Sequence, residues 1–183
     1  EYLEKLHAEH RMMGFKNLIY IDETGFDAHC YRDSGWVQKG QSILGLVSGK
    51  RKRRTNLMMA QRHGRKGQKK EWLAPMIFEG SCTAVLVETW IKDHLMKELH
   101  EPTIIVMDNA SFHNHKRIQD IVAPAYHMVI PLPPYSPDFN PIEKTFGAMK
   151  KRRKSLPPNT TIDQLEHLQS QLPGHVSVQC AGP

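Results

Sequence analysis

Apolar positions along the chain change their period several times, and each change marks an element. Residues 1–16 carry Leu3, Leu6, Met13 and Phe15 among charged neighbours and read as a helix. Residues 1–17 are thus an N-terminal helix, or the end of a linker from something upstream. LIYID is a short apolar run with Asp22 at its end, and Glu23, Thr24 and Gly25 read as its exit turn. Residues 26–41 are mixed, with Gly35, Trp36 and Gly40 marking turns. SILGLVSG and TNLMMAQ form a hairpin across the basic turn GKRKRR. After a second basic turn, HGRKGQKK, the run WLAPMIFEG is a shorter strand. Pro75 puts that strand at a sheet edge, because proline has no N–H for an interior ladder.

The period then becomes helical. In TAVLVETWIKDHLMKEL, Leu86, Trp90, Ile91, Leu95 and Leu99 mark one face, until Glu101-Pro102 stops the run. TIIVMD is apolar on both faces, as expected of a mid-sheet strand with parallel neighbours. HNHKRIQDIV is a short helix, YHMVIPL a strand, and PPYSPDFNP a loop stiffened by its prolines. Asn140-Pro141 is a helix start, with Asn as N-cap and Pro at the first position, which puts Glu143 third. IEKTFGAMKKRRK continues that helix into a basic end. TIDQ, from Thr161 to Gln164, resembles a capping box opening one more helix. Residues 173–183 have no packing period and read as an irregular tail. Antiparallel hairpins followed by crossover units predict a mixed α/β sheet flanked by helices over residues 18–172.

Composition narrows the partner more than the fold. The 183 residues suffice for one domain with a substantial core, and 39% are hydrophobic. No apolar run approaches the roughly 20 residues of a membrane span, and no signal peptide is visible, so a cytoplasmic location is expected. The net charge of +6 favours a polyanion, nucleic acid before membrane, since no basic helix with an aromatic face accompanies it. Cys30, Cys82 and Cys180 are odd in number and widely spaced, which excludes a disulfide framework and a CxxC zinc site.

Three acids are the candidate chemistry. Asp22 and Asp108 close apolar runs, and Glu143 follows Asp108 with 34 residues between them. Two acids at neighbouring strand ends and a third in a helix's first turn suit divalent metal held over a phosphodiester. Two ions about 4 Å apart activate a nucleophile and stabilise the leaving oxygen, and magnesium needs only a few carboxylates besides its waters. Each acid also has a plainer reading. Asp22 suits a turn, with Glu23 beside it as the alternative ligand. Asp108 suits a turn residue bonding its own backbone. Glu143, three residues after an N-cap Asn, imitates a capping box. His113 and His115, two apart, do not face one way on a helix, so zinc is not expected.

The segments around the acids sharpen the choice. IYIDETGF, IIVMDNASFH and PPYSPDFNPIEKTF resemble the three signature blocks of DDE transposases of the mariner-like superfamily, most of all its bacterial insertion-sequence branch. The resemblance runs from about Leu18 to about Lys154. It implies an RNase H-like catalytic domain that uses Mg2+ or Mn2+, with two ions expected, to cleave transposon ends and transfer strands into target DNA. It places the catalytic and metal-binding triad on Asp22, Asp108 and Glu143, with Asn109 and His113 as supports of the site. It further implies double-stranded DNA as partner, a homodimer on that DNA, a TA target and a bacterial, nucleoid-associated setting. Helix-turn-helix domains normally precede the catalytic domain in such transposases, and none fits within residues 1–16.

Basic clusters supply the expected DNA contacts. Lys50, Arg51, Lys52, Arg53 and Arg54 form one, Arg65 to Lys70 a second, and Lys150, Lys151, Arg152, Arg153 and Lys154 a third. Each alone equally suits a solvated turn or a helix C-terminus. The third follows Glu143 along one helix by about 10–16 Å, at 1.5 Å per residue, within reach of a duplex across the site.

Overall fold

The computed structural model describes residues 2, 4, 6, 8, 17–27, 38–42, 54–62, 70–110, 113–134, 136–157, 160–162 and 164. All but Ser42 of the expected strand over 42–49, most of both basic turns and the tail lie outside the described residues. Strands β1 (Asn17–Asp27), β2 (Arg54–Arg62), β3 (Glu71–Glu79), β4 (Thr103–Met107) and β5 (Met128–Pro131) make one sheet in the order β3-β2-β1-β4-β5. The β1–β2 and β2–β3 pairs are antiparallel, and β1–β4 and β4–β5 are parallel. This is the mixed sheet that the patterning predicts, with β1 at the change of direction.

Two layers of helix cover the sheet, which explains the unbroken apolar run of β4. On one face Ile19, Ile21, Met58, Ile105 and Met107 pack against helix α1 (Ala84–Trp90), its continuation to Glu98, and helix α2 (His115–Val122). On the other, Tyr20, Phe26, Leu57, Met59, Ile104 and Val106 pack against Ile142, Phe146 and Met149 of helix α3 (Ile142–Ser155). Leu6 is buried in this second layer, and Tyr2, Glu4, Leu6 and Ala8 are helical, so this part of the N-terminal segment packs on the domain. The capping box at Thr161 forms reciprocally: Gln164 N–H donates to Thr161 Oγ1 at 3.3 Å, and Thr161 N–H to Gln164 Oε1 at 3.0 Å. Among the described residues no helix is long and apolar enough to cross a membrane.

Three elements differ from the sequence reading. First, β1 does not end at Asp22. Its parallel pairing with β4 stops at Ile21–Met107, while its antiparallel pairing with β2 runs on to Asp27–Arg54. A long antiparallel partner satisfies the backbone that local turn chemistry would otherwise bend. Gly25 is a strand residue rather than part of a turn, opposite Asn56 of β2.

Second, α1 passes through a π-helical turn (Ile91–Leu95) into a last α turn (Met96–Glu98). Residues on either side of the wide turn, Trp90 and Glu98, meet a bulge in edge strand β3. Trp90 Nε1 donates to the Ala74 carbonyl at 2.8 Å, and the Ala74 N–H donates to Glu98 Oε1 at 3.0 Å. Ala74 has φ 47°, and the β2–β3 register shifts between Met58 and Ala60. Pro75 therefore sits beside an edge bulge, where its missing N–H costs the ladder nothing.

Third, α3 begins at Ile142, after an N-cap position held by Pro141 with no side-chain cap bond. Glu143 is thus the second helical residue, and Asn140 is released from the capping role.

Candidate active site

The change from parallel to antiparallel pairing opens the sheet where it matters. Beyond Met107 the chain leaves the sheet at Asp108, while β1 continues with no strand paired on that side among the described residues. Asp22 lies in this gap. The loop after β5 crosses it, and α3 starts beside it. The resulting cleft, of about 390 Å³, is lined by Asp22, Asp108, Asn109, Asn140 and Glu143, with a wall of Leu132, Pro133 and Pro134. All three acids singled out from the sequence border it, and Glu23 does not. A larger cavity, of about 790 Å³, lies between edge strand β3 and the end of the α1 run, and none of the three acids lines it.

Asp22 is held by donors on both oxygens. The Glu23 N–H donates to Oδ1 at 2.8 Å, and Asn140 Nδ2 donates to Oδ2 at 3.1 Å. Burial nevertheless pushes its pKa up to about 8, with Glu23, Asp108 and Glu143 adding repulsion against the lowering effect of the Glu23 N–H. Glu23 projects to the opposite face of β1. Burial raises its pKa too, opposed by nearby His113 and reinforced by Asp108. Cys82 feels the same group of charges: burial, then Glu23 and Asp108, push its thiol up to about 12.

Asp108 has the opposite balance. Burial would raise its pKa, but the hydrogen bond and charge of His113 outweigh it and hold the carboxyl below its ordinary range. His113 Nδ1 lies 2.8 Å from Asp108 Oδ1, and the Ala110 N–H adds a longer bond at 3.4 Å. The imidazole of His113 is buried; that alone would lower its pKa, yet Asp108 and Glu23 raise it. His113 thus stands beside Asp108. Asn109 lines the cleft and contacts His115, its Oδ1 3.1 Å from Nε2. Burial and then the charge of His113 lower the pKa of His115. Among the described residues no group of three or more His, Cys, Asp or Glu side chains is gathered closely enough to hold a metal ion as it stands. The donor types still fit a hard divalent ion: three carboxylates line one open cleft, and among the described residues no lysine or arginine lines it.

The third basic cluster divides. Lys150, Lys151, Arg152 and Lys154 are exposed on α3. Arg153 is turned inward, only 7% exposed, with its guanidinium carbon 5.6 Å from the centre of the Phe26 ring. That burial takes Arg153 away from a phosphate-contacting role and makes it part of the packing between α3 and β1. Lys150 also approaches this ring, at 6.0 Å. Arg54 is exposed at the start of β2, and Lys50 to Arg53 lie outside the described residues. Lys70, the last residue of the second cluster, donates to Thr145 Oγ1 at 3.4 Å, which in turn donates to Gln61 Oε1 at 2.5 Å.

A mixed sheet with this strand order, and acids gathered where its parallel half ends, defines an RNase H-like α/β domain. The chain belongs to the DDE superfamily endonuclease family, which matches residues 17–167. Several solved structures share the fold. The Mos1 transposase paired-end complex with left transposon end is 17% identical, with 92% of this chain and 51% of that one covered at a TM-score of 0.69. The Mos1 Strand Transfer Complex is 17% identical, covering 92% and 50% at 0.67. The mariner Mos1 paired end complex with Mg is 16% identical, covering 92% and 51% at 0.67. The chain spans about half the length of these proteins. No curated protein matches it.

Proposed function

We propose that the chain is the catalytic domain of a DNA transposase, cleaving transposon ends and joining the freed 3′ hydroxyl to target DNA. The observation that carries this reading is the meeting of Asp22, Asp108 and Glu143 on one open cleft of an RNase H-like sheet. These three side chains would hold the divalent metal, two ions being expected. Bound Mg2+ or Mn2+ would supply an activated nucleophile and a stabilised leaving oxygen. His113 keeps Asp108 ionised and oriented, and Asn109 is steadied through His115. Arg54, Lys150, Lys151, Arg152 and Lys154 contact phosphates, together with Lys50 to Arg53. Double-stranded DNA is the partner, the working unit is a dimer on it, and a TA target and the bacterial insertion-sequence branch follow from the signature blocks.

The Mos1 complexes that share the fold hold transposon-end and strand-transfer DNA, and one carries Mg, which supports the same assignments here. A related nuclease without strand transfer is the alternative that the same cleft accommodates. Their products separate the two. With DNA carrying the element's terminal repeats, Mn2+ and a target plasmid, the proposal expects joined molecules. Cut ends that never join would assign the chain to the nuclease reading.

A further inference from the structure

We infer that Asn140 is a positioning residue that fixes Asp22 and Glu143 relative to each other and offers an acceptor to a water on the bound ion. The inference rests on the metal-binding reading of the cleft. An asparagine just before a helix ordinarily turns its side-chain oxygen onto the first free N–H groups, which contributes about 1 kcal/mol. Asn140 forgoes that bond, since its Oδ1 accepts no hydrogen bond within the protein. Its Nδ2 instead donates to Asp22 Oδ2, 118 residues away in sequence, at 3.1 Å. Its own carbonyl accepts the Glu143 N–H at 3.2 Å. One residue therefore grips the first acid with its side chain and the third with its backbone.

The remaining atom points to a ligand. Asn140 is 4% exposed and lines the cleft, yet its Oδ1 is buried with no hydrogen-bond partner in the protein. A buried acceptor left unpaired is costly, and the cost is removed when a donor arrives. Once ionised, as they must be to hold a cation, the carboxylates around it can only accept, so in the metal-bound site they cannot serve. A water coordinated to a divalent ion between Asp22 and Glu143 is a strong donor and belongs to a class that magnesium sites retain. Asn140 then acts on the ion through Asp22 and through that water, as outer partners of metal ligands do.

Serine provides the decisive variant, because it is too short to reach Asp22 and can make instead the ordinary helix cap that asparagine forgoes. Mn2+ binding to the full chain would be followed by electron paramagnetic resonance, without DNA, alongside thermal unfolding in chelator. Asn140→Ser and Asn140→Ala should both weaken Mn2+ about tenfold or more, with Asn140→Ser retaining the wild-type unfolding midpoint in chelator. Wild-type Mn2+ affinity in Asn140→Ser, with binding lost in Asp108→Asn, would overturn the role of Asn140 alone. Mn2+ binding by Asp108→Asn equal to wild type would overturn the cleft reading and this inference with it. Failure of both Asn140 variants to fold would make the residue structural and likewise overturn the proposal.

Discussion

Asp22 carries the largest electrostatic cost in the cleft, and its sign can be measured. Its pKa is about 8 in the folded chain against an ordinary 3.8. Between those values the folded state holds a proton that the unfolded state has released, so stability falls as pH rises through that window. Glu23 and His113, both raised, act in the same sense. His115 and His127, both lowered, act in the opposite sense below the ordinary histidine range. Asp108, lowered, acts only at more acid pH. The difference between wild type and Asp22→Asn isolates the one group. In chelator, the unfolding midpoint of wild type should drop relative to Asp22→Asn as pH goes from 4 to 8, and Mg2+ or Mn2+ should close the gap. A pH-independent difference would mean that Asp22 is not buried among like charges. The three acids were legible at this scale because each adjoins an apolar run or a helix start, which places it without reference to anything distant. Asn140 was not legible. Its local sequence is that of a cap, and what overrides the cap is a carboxylate on another element.

Elements whose period is sustained were read correctly in kind, and their limits were set by partners. β4 is buried at every position because both its faces are covered. β1 outruns its apolar stretch because β2 lies beside it, and the π turn after Trp90 answers to the bulge at Ala74. Neither partner is visible in the local pattern. The Trp90–Ala74 contact gives a direct check. Trp90→Phe removes the indole donor, leaves a buried carbonyl unsatisfied and opens a small void. A loss of about 2–4 kcal/mol in urea unfolding is expected. A change below about 0.5 kcal/mol would show that the bulge holds without the helix.

At the scale of the whole molecule, a net charge of +6 coexists with an acid-lined cleft, so the basic residues must lie elsewhere if the chain is to hold DNA. Composition made the surplus legible but not its distribution, since Arg153 and its exposed neighbours read alike in sequence. Neutralising Lys150, Lys151, Arg152 and Lys154 together should weaken binding to all DNA sequences alike. It should also flatten the log–log salt dependence by up to about 3.6, at roughly 0.9 per phosphate contact. Arg153→Ala should instead lower stability with little change in that slope, because its guanidinium packs on Phe26. An unchanged slope in the fourfold variant would move the DNA to another face. The central claim is that Asp22, Asp108 and Glu143 act as one metal-dependent phosphodiester site. Its most direct test is Mn2+-dependent cleavage of DNA carrying the terminal repeats by wild type, Asp108→Asn and Glu143→Gln in parallel, with unfolding midpoints recorded for each. Both variants should remain folded and lose cleavage by about a thousandfold, equivalent to roughly 4 kcal/mol of transition-state stabilisation. Cleavage at the wild-type rate by folded Glu143→Gln would contradict the three-acid site.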